Sequence, residues 1–338
     1  MFKRIFSNIL VFVIAISLLS CGGGTQLAEG GIGGSGISQG AVTDYGSIIV
    51  NGVHFDTTGA VITKDGGDPV TNLDDADINQ FINIGMVVTV KGSINDDGIS
   101  GKADTISYDD IIEGPVVGTP SGTSINVLGQ NVNVVDGANG TRYACDEGYT
   151  SCLFSTFADL QDGQVIEVSG FIDANGDITA AYIELKEDSY TRDTGLEEAD
   201  VFELKGKVTT VINDLSFTIG DLIIDTTNTG DTTGLDGMFV KAKGTFDGTD
   251  TLTTTETVEI DNDGFDIEDA DKAELEGLAT TACTTNTCDF TLSGVTVRID
   301  SNTTFIDGIV TDIYEGVKLE AEGALQGGIL HASEIEFK

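Results

Sequence analysis

Four times along this chain an eight-residue run steps from one glycine to another through largely alternating apolar positions: GMVVTVKG at Gly85–Gly92, GQVIEVSG at Gly163–Gly170, GMFVKAKG at Gly237–Gly244 and GVKLEAEG at Gly316–Gly323. Alternation with period two is the pattern of a half-buried strand. Its recurrence at intervals of about 70–80 residues marks tandem copies of one small unit. Each landmark also holds a fixed place in a longer order. A Gly-x-hydrophobic strand precedes it, at Gly40, Gly114, Gly206 and, more loosely, Gly277. Two alternating strands about a turn come next, at Ile48–Asp56, Ile125–Val134, Phe217–Asp225 and Phe290–Asp300. A turn and a last strand follow the landmark, at Gly101–Ile106, Ile178–Ile183, Leu252–Val258 and Ile329–Ile335.

The copies are expected at 40–110, 113–187, 203–261 and 274–338, with a polar linker at 188–202 and an acidic one at 262–273. Asp74–Phe81 and Thr156–Leu160 read as helices of one or two turns before the landmark, with Asp or Ser/Thr at their starts. The unit order is therefore three strands, a short helix and two strands. That is the order of the five-stranded OB-like barrel, which places its helix between strands three and four; a small sandwich is the alternative. The expected fold class is all-β, with four tandem OB-like barrels. An apolar content of 40%, rich in Val and Ile, excludes general disorder, and 44 glycines suit many tight turns.

The N-terminus sets the expected address. Lys3 and Arg4 precede an apolar stretch, Ile5–Leu19, broken only by Ser7, Asn8 and Ser17. About fifteen residues at ~1.5 Å each fall short of the hydrocarbon core, so residues 1–20 read as a signal peptide. Leu18-Leu19-Ser20-Cys21 has the form of a lipobox, with cleavage before a lipidated Cys21. Gly22 follows where an Asp would signal inner-membrane retention, which favours the outer membrane. A glycine-rich tether, 21–39, then leads to the first copy. The expected partner is the membrane, through the N-terminal lipid, and the expected location is the bacterial cell envelope.

The chain carries 16 Lys plus Arg against 56 Asp plus Glu, a formal net charge of −40, and two of those cations leave with the leader. Acids are spread over every copy, so no basic face is available to neutralise phosphates and nucleic acid is excluded as a partner. Beyond Cys21 the cysteines form two close pairs, Cys145 with Cys152 and Cys283 with Cys288. In an oxidising compartment such pairs are expected to be disulfides; zinc is the alternative, in a chain with only two histidines.

GGIGGSGISQG followed by GSIIVNGVHFDTTGA resembles the bacterial family called domain of unknown function 5666, tandem small β domains of exported proteins and lipoproteins. The resemblance is specific over Gly30–Ala60 and extends through the glycine-bounded strand of the later copies. It is loosest in copies three and four. It implies the architecture and carries no activity, cofactor or catalytic residue.

No local motif supports an enzyme. His54 and His331 each alternate with apolar neighbours and are expected at the surface, away from any triad. Trp is absent, so the aromatic platforms of a sugar-binding cleft are scarce. The candidate metal site is Ca²⁺ at Asp261, Asp263, Asp266, Glu268 and Asp269, hard oxygen ligands without EF-hand spacing. Asn95–Gly98 and Asp173–Asp177 look similar but fall where hairpin turns are needed. Two functional expectations follow. The first is a non-catalytic spacer, adhesion or protein-interaction module of the envelope. The second is a binding protein for a small ligand or Ca²⁺.

Overall fold

The computed structural model describes residues 34–46, 48–71, 75–137, 140–146, 152–190, 201–230, 232–260 and 269–338. The expected signal peptide, Cys21, the first part of the expected tether and the acidic run through Glu268 lie outside the described residues. Among the described residues, no helix is long and apolar enough to cross a membrane.

The first barrel is built from Gly34–Tyr45, Ile48–Val50, Val53–Asp56, Val87–Ile94 and Ser100–Tyr108. Its first strand pairs with both the second and the fourth, and its third runs parallel to the fifth. Antiparallel pairing of the fourth with the fifth closes the ring in the order 1-2-3-5-4-1. The third barrel (Val201–Asn213, Ser216–Ile219, Leu222–Asp225, Phe239–Phe246, Thr251–Thr254) closes by the same pairings. So do the second (Ile112–Pro115, Ser124–Val127, Gln130–Val134, Val165–Ile172, Ile178–Glu187) and the fourth (Ala270–Leu278, Cys288–Leu292, Val295–Ile299, Lys318–Gln326, Ile329–Phe337). In these two, the link between first and second strands is a single bridge, Val116 to Val127 and Ala279 to Leu292. Every copy is thus a closed five-stranded barrel with OB order.

The glycine landmark has a physical reason at each end. Its first glycine adopts positive φ in all four copies, 98° at Gly85, 85° at Gly163, 74° at Gly237 and 87° at Gly316, at the turn that enters the fourth strand. Its second glycine lies where the fourth strand crosses the fifth at closest approach. A Cβ at Gly92, Gly170, Gly244 or Gly323 would strike the carbonyl oxygen of Lys102, Thr179, Thr253 or His331. At Gly92, Gly170 and Gly323 the ladder also slips register, the mark of a bulge.

The expected short helices are single 3₁₀ segments, Asp75–Gln80 and Phe157–Asp159. A third, Val310–Asp312 in the fourth barrel, was not legible in the sequence. In two of them the last aspartate reaches back to the opening amide, Asp159 Oδ2 accepting from Thr156 N at 2.9 Å and Asp312 Oδ2 from Ile309 N at 3.0 Å.

The barrels do not form a simple string. Gly36–Gln39 pairs in parallel with Lys272–Leu275, joining the first strands of barrels one and four. Ile112 and Glu113 pair antiparallel with Leu204 and Glu203, joining the first strands of barrels two and three. Two twelve-stranded sheets result, each holding two barrels. These seams correct three expected boundaries. Gly34–Gln39 is strand rather than tether, because its backbone is hydrogen-bonded to a barrel on each side and Ile37 is buried in the core of barrel four. Val201 and Phe202 extend the third barrel's first strand into the expected linker, pairing with Thr245 and Gly244. Likewise Ala270–Ala273 opens barrel four where the acidic linker was expected. The interiors follow the seams: barrels two and three share one apolar cluster, while Tyr182 of barrel two enters the core of barrel one.

Candidate functional site

Several sequence-predicted positions resolve into scaffold. Asp269 is exposed and accepts from Gly327 N at 2.7 Å, fixing a turn of barrel four; its partners Asp261, Asp263, Asp266 and Glu268 lie outside the described residues. Asp97 Oδ1 accepts from Ile99 N and Ser100 N, both at 3.0 Å, and Asp173 Oδ1 from Asn175 N and Asp177 N at 2.8 and 3.0 Å. Both are hairpin anchors between fourth and fifth strands, as turn chemistry predicts. His54 and His331 are exposed strand residues on different barrels. The two disulfides join Cys145 to Cys152 and Cys283 to Cys288, with Cα atoms 5.7 and 6.1 Å apart.

The chemistry gathers where the barrels meet. Strand Val165–Ile172 is buried almost throughout, on both faces, because its interior side fills barrel two and its outer side is covered by other barrels. Glu167 therefore sits 1% exposed. It is one rung of a charged ladder across five strands: Glu184, Glu167, Glu113, Glu203 and Lys243 are successive cross-strand partners. Like charges so placed repel, and burial raises the cost. Cations from neighbouring elements offset it. Lys186 lies 3.1 Å from Glu167 and 3.2 Å from Glu184, while Lys64 of barrel one reaches Glu167 at 3.8 Å. Lys243 and Lys241 hold Glu203, and Lys241 with Lys205 also hold Asp109. Tyr108 of barrel one, 1% exposed, donates to Glu167 at 2.5 Å.

Among the described residues, three acids in this region form no ion pair with a lysine. Burial, opposed in part by Lys186 and reinforced by Glu167, raises Glu113 to about 7. Burial and the nearby Glu203 raise Asp110 well above the usual carboxylate range, and burial with Glu167 raises Asp65. Asp109 behaves oppositely: burial alone would raise it, but Lys205 and Lys241 hold it below its ordinary value.

Beside this network is a cleft of ≈ 510 Å³ to which all four barrels contribute. Hydroxyls line it from three barrels (Thr89, Ser107, Ser169, Thr280), Phe171 and Phe239 supply apolar surface, and Lys205 and Lys207 stand at one side. Lys207 is exposed and, among the described residues, pairs with no acid, in contrast to Lys205, which is bound to Asp109. Such a mix of hydroxyls, two aromatic rings and an ammonium can seat a small polar molecule carrying a negative group. Sequence reasoning missed this site. Its residues come from four copies that are adjacent only in space, and the one local signal was glutamate inside an apolar strand, as at Glu167.

Comparison with known proteins bears on architecture alone. The family model described as domain of unknown function (DUF5666) matches residues 37–106, 113–184 and 281–336. No curated protein matches the chain. The matched stretches cover barrels one and two and most of barrel four. Barrel three lies outside them and yet closes in the same strand order.

Proposed function

The chain belongs to the DUF5666 family, and from that premise we propose that it is a non-catalytic, lipid-anchored binding protein of the bacterial cell envelope whose ligand seat is the central cleft. The observation that carries this reading is convergence. All four copies of one fold contribute to this cleft, and no copy forms it alone. Cys21 supplies the anchor, and the lipobox with Gly22 supports an outer-membrane address. A ligand class follows from the lining. Lys207 has no acidic partner among the described residues of a chain of net charge −40, so its place at a hydroxyl-rich cleft favours a small polyhydroxylated molecule with a carboxylate or phosphate. Nucleic acid is disfavoured by the same charge.

Thermal unfolding of the mature protein against a panel of acidic and neutral sugars tests the reading. An acidic sugar is expected to raise the melting temperature, and Lys207→Glu to remove that effect. Identical behaviour of the wild type and Lys207→Glu toward every compound would sink the cleft as a ligand seat.

A second reading, an adhesion or protein-interaction module, is favoured by one surface feature. Ile309 and Tyr314, 60% and 59% exposed, flank the 3₁₀ segment of barrel four. A spacer role draws less support, because barrels one and four share a strand edge and the chain gains little reach from its four units.

A further inference from the structure

We propose that Asp65, Asp109 and Asp110 form a binding site for a divalent cation of the Ca²⁺ type, at the junction of barrels one, two and three. The proposal uses none of the residues of the 261–269 acidic run and does not rest on the ligand reading of the central cleft. One carboxylate oxygen from each residue lies within 4.8 Å of the others. Oxygens that share a Ca²⁺ at ~2.3–2.6 Å can stand at most about 5 Å apart, so this spacing admits a common ion. A second observation points the same way. Asp110 is 2% exposed, and its Oδ2 has no hydrogen-bond partner. A buried carboxylate oxygen left so is costly unless something charged or protic completes it.

The surrounding charges show what is missing. Lys205 and Lys241 are bound to Asp109, Lys241 and Lys243 to Glu203, and Lys64 and Lys186 to Glu167 and Glu184. Among the described residues no ammonium is paired with Asp65 or Asp110, although Asp65 Oδ1 accepts from Asp110 N at 3.1 Å. Lys64 near Asp65 and Lys205 near Asp110 offset only part of their charge, and one divalent cation would supply the rest. Asp109 can join as a third ligand without releasing its lysines, since a carboxylate offers about four lone-pair sites. A cavity of ≈ 170 Å³ opens beside Asp65, walled by Glu256 and Glu259 together with Lys241 and Lys243. The competing occupant is a proton shared between Asp65 and Asp110.

Calorimetric titration of the chelator-stripped mature protein with CaCl₂ at pH 7.5 decides between them. The wild type is expected to bind Ca²⁺, Asp110→Asn to lose that binding, and Asp263→Asn/Asp266→Asn to retain it. Asp65→Asn, at a partly exposed turn, serves as a second variant should Asp110→Asn fold poorly by near-ultraviolet dichroism; it too is expected to lose binding. An absence of Ca²⁺ binding by the wild type would overturn the proposal in favour of the shared proton. Binding that survives both Asp65→Asn and Asp110→Asn, or that is lost in the 263/266 variant alone, would overturn it as well.

Discussion

Glu113 faces Glu203 directly across the short antiparallel seam that joins barrels two and three, with Glu167 opposite it on the other side. Glu203 and Glu167 are each held by lysines, whereas Glu113 titrates at about 7, raised chiefly by burial. In the unfolded chain a glutamate titrates near ~4.3. Between these values the folded state binds more protons than the unfolded one, so this group lowers stability as pH rises from about 4.5 to about 7, and the loss persists above. Glu113→Gln removes that dependence. Urea midpoints for the variant and the wild type should agree at pH 4.5 and diverge at pH 8, the variant being more stable by roughly 3 kcal/mol. Equal differences at the two pH values would refute the assignment.

The other seam carries its own acid. Glu274, 4% exposed, accepts from Ser38 Oγ of barrel one at 3.1 Å and is raised to about 8 by burial and by Glu320. Its cross-strand partner Glu322, and Glu334 beyond that, extend an acid row with no lysine in register. Here the stabilising, protonated form is lost as pH climbs through about 8. Amide exchange in Gly36–Gln39 and Lys272–Leu275, corrected for intrinsic rate, should match between wild type and Glu274→Gln at pH 6. At pH 9 it should be faster in the wild type. Equal protection at pH 9 would show that the seam does not sense this group.

The two glycines of the second landmark predict different penalties. Gly163→Ala introduces a Cβ at φ 85°, where no neighbouring atom lies within 4 Å. Its cost is conformational, roughly 1 kcal/mol. Gly170→Ala sends a Cβ into the carbonyl oxygen of Thr179, a backbone atom that cannot swing aside. The bulge must then open, at an expected cost above ~2 kcal/mol. Chemical denaturation ranks them, and a Gly170→Ala loss no larger than that of Gly163→Ala would contradict the close-approach account.

Those glycines also show what a sequence can and cannot disclose here. Gly163 and Gly170 act within one barrel, through a turn and a neighbouring strand, so their spacing repeats in every copy and can be read directly. Closure in OB order was legible for the same reason, since strand alternation and the place of the short helix are local. Glu167 was not. Its strand looks half-buried, but Tyr108 and Lys64 of another barrel cover its outer face, and nothing in copy two encodes their arrival. Gly34–Gln39 misled in the opposite sense: glycine and serine suggest a tether, yet strand pairing on both edges and burial of Ile37 order the backbone. Asp65 and Asp110, 45 residues apart, meet only because Val61–Lys64 runs parallel to the strand that ends at Tyr108.

The two disulfides differ in what they hold, and reduction should separate them. Each closes a loop of only a few residues, worth ~2 kcal/mol by restriction of the unfolded chain. Cys145–Cys152 pins the end of strand Arg142–Cys145, where Cys145 is only partly buried against the core. Cys283 is 1% exposed within the core of barrel four, and its amide donates to Ile313 O at 3.0 Å. Serine at 283 would place an extra hydroxyl in that apolar setting, at a further cost of about 1 kcal/mol or more. Cys283→Ser/Cys288→Ser should therefore lower the melting temperature more than Cys145→Ser/Cys152→Ser. Reductant should lower the melt of each variant again through its remaining bridge. If reductant leaves the wild-type melt unchanged, neither bridge stabilises the fold; if the Cys145/Cys152 variant is the weaker of the two, burial of Cys283 is not what sets the difference.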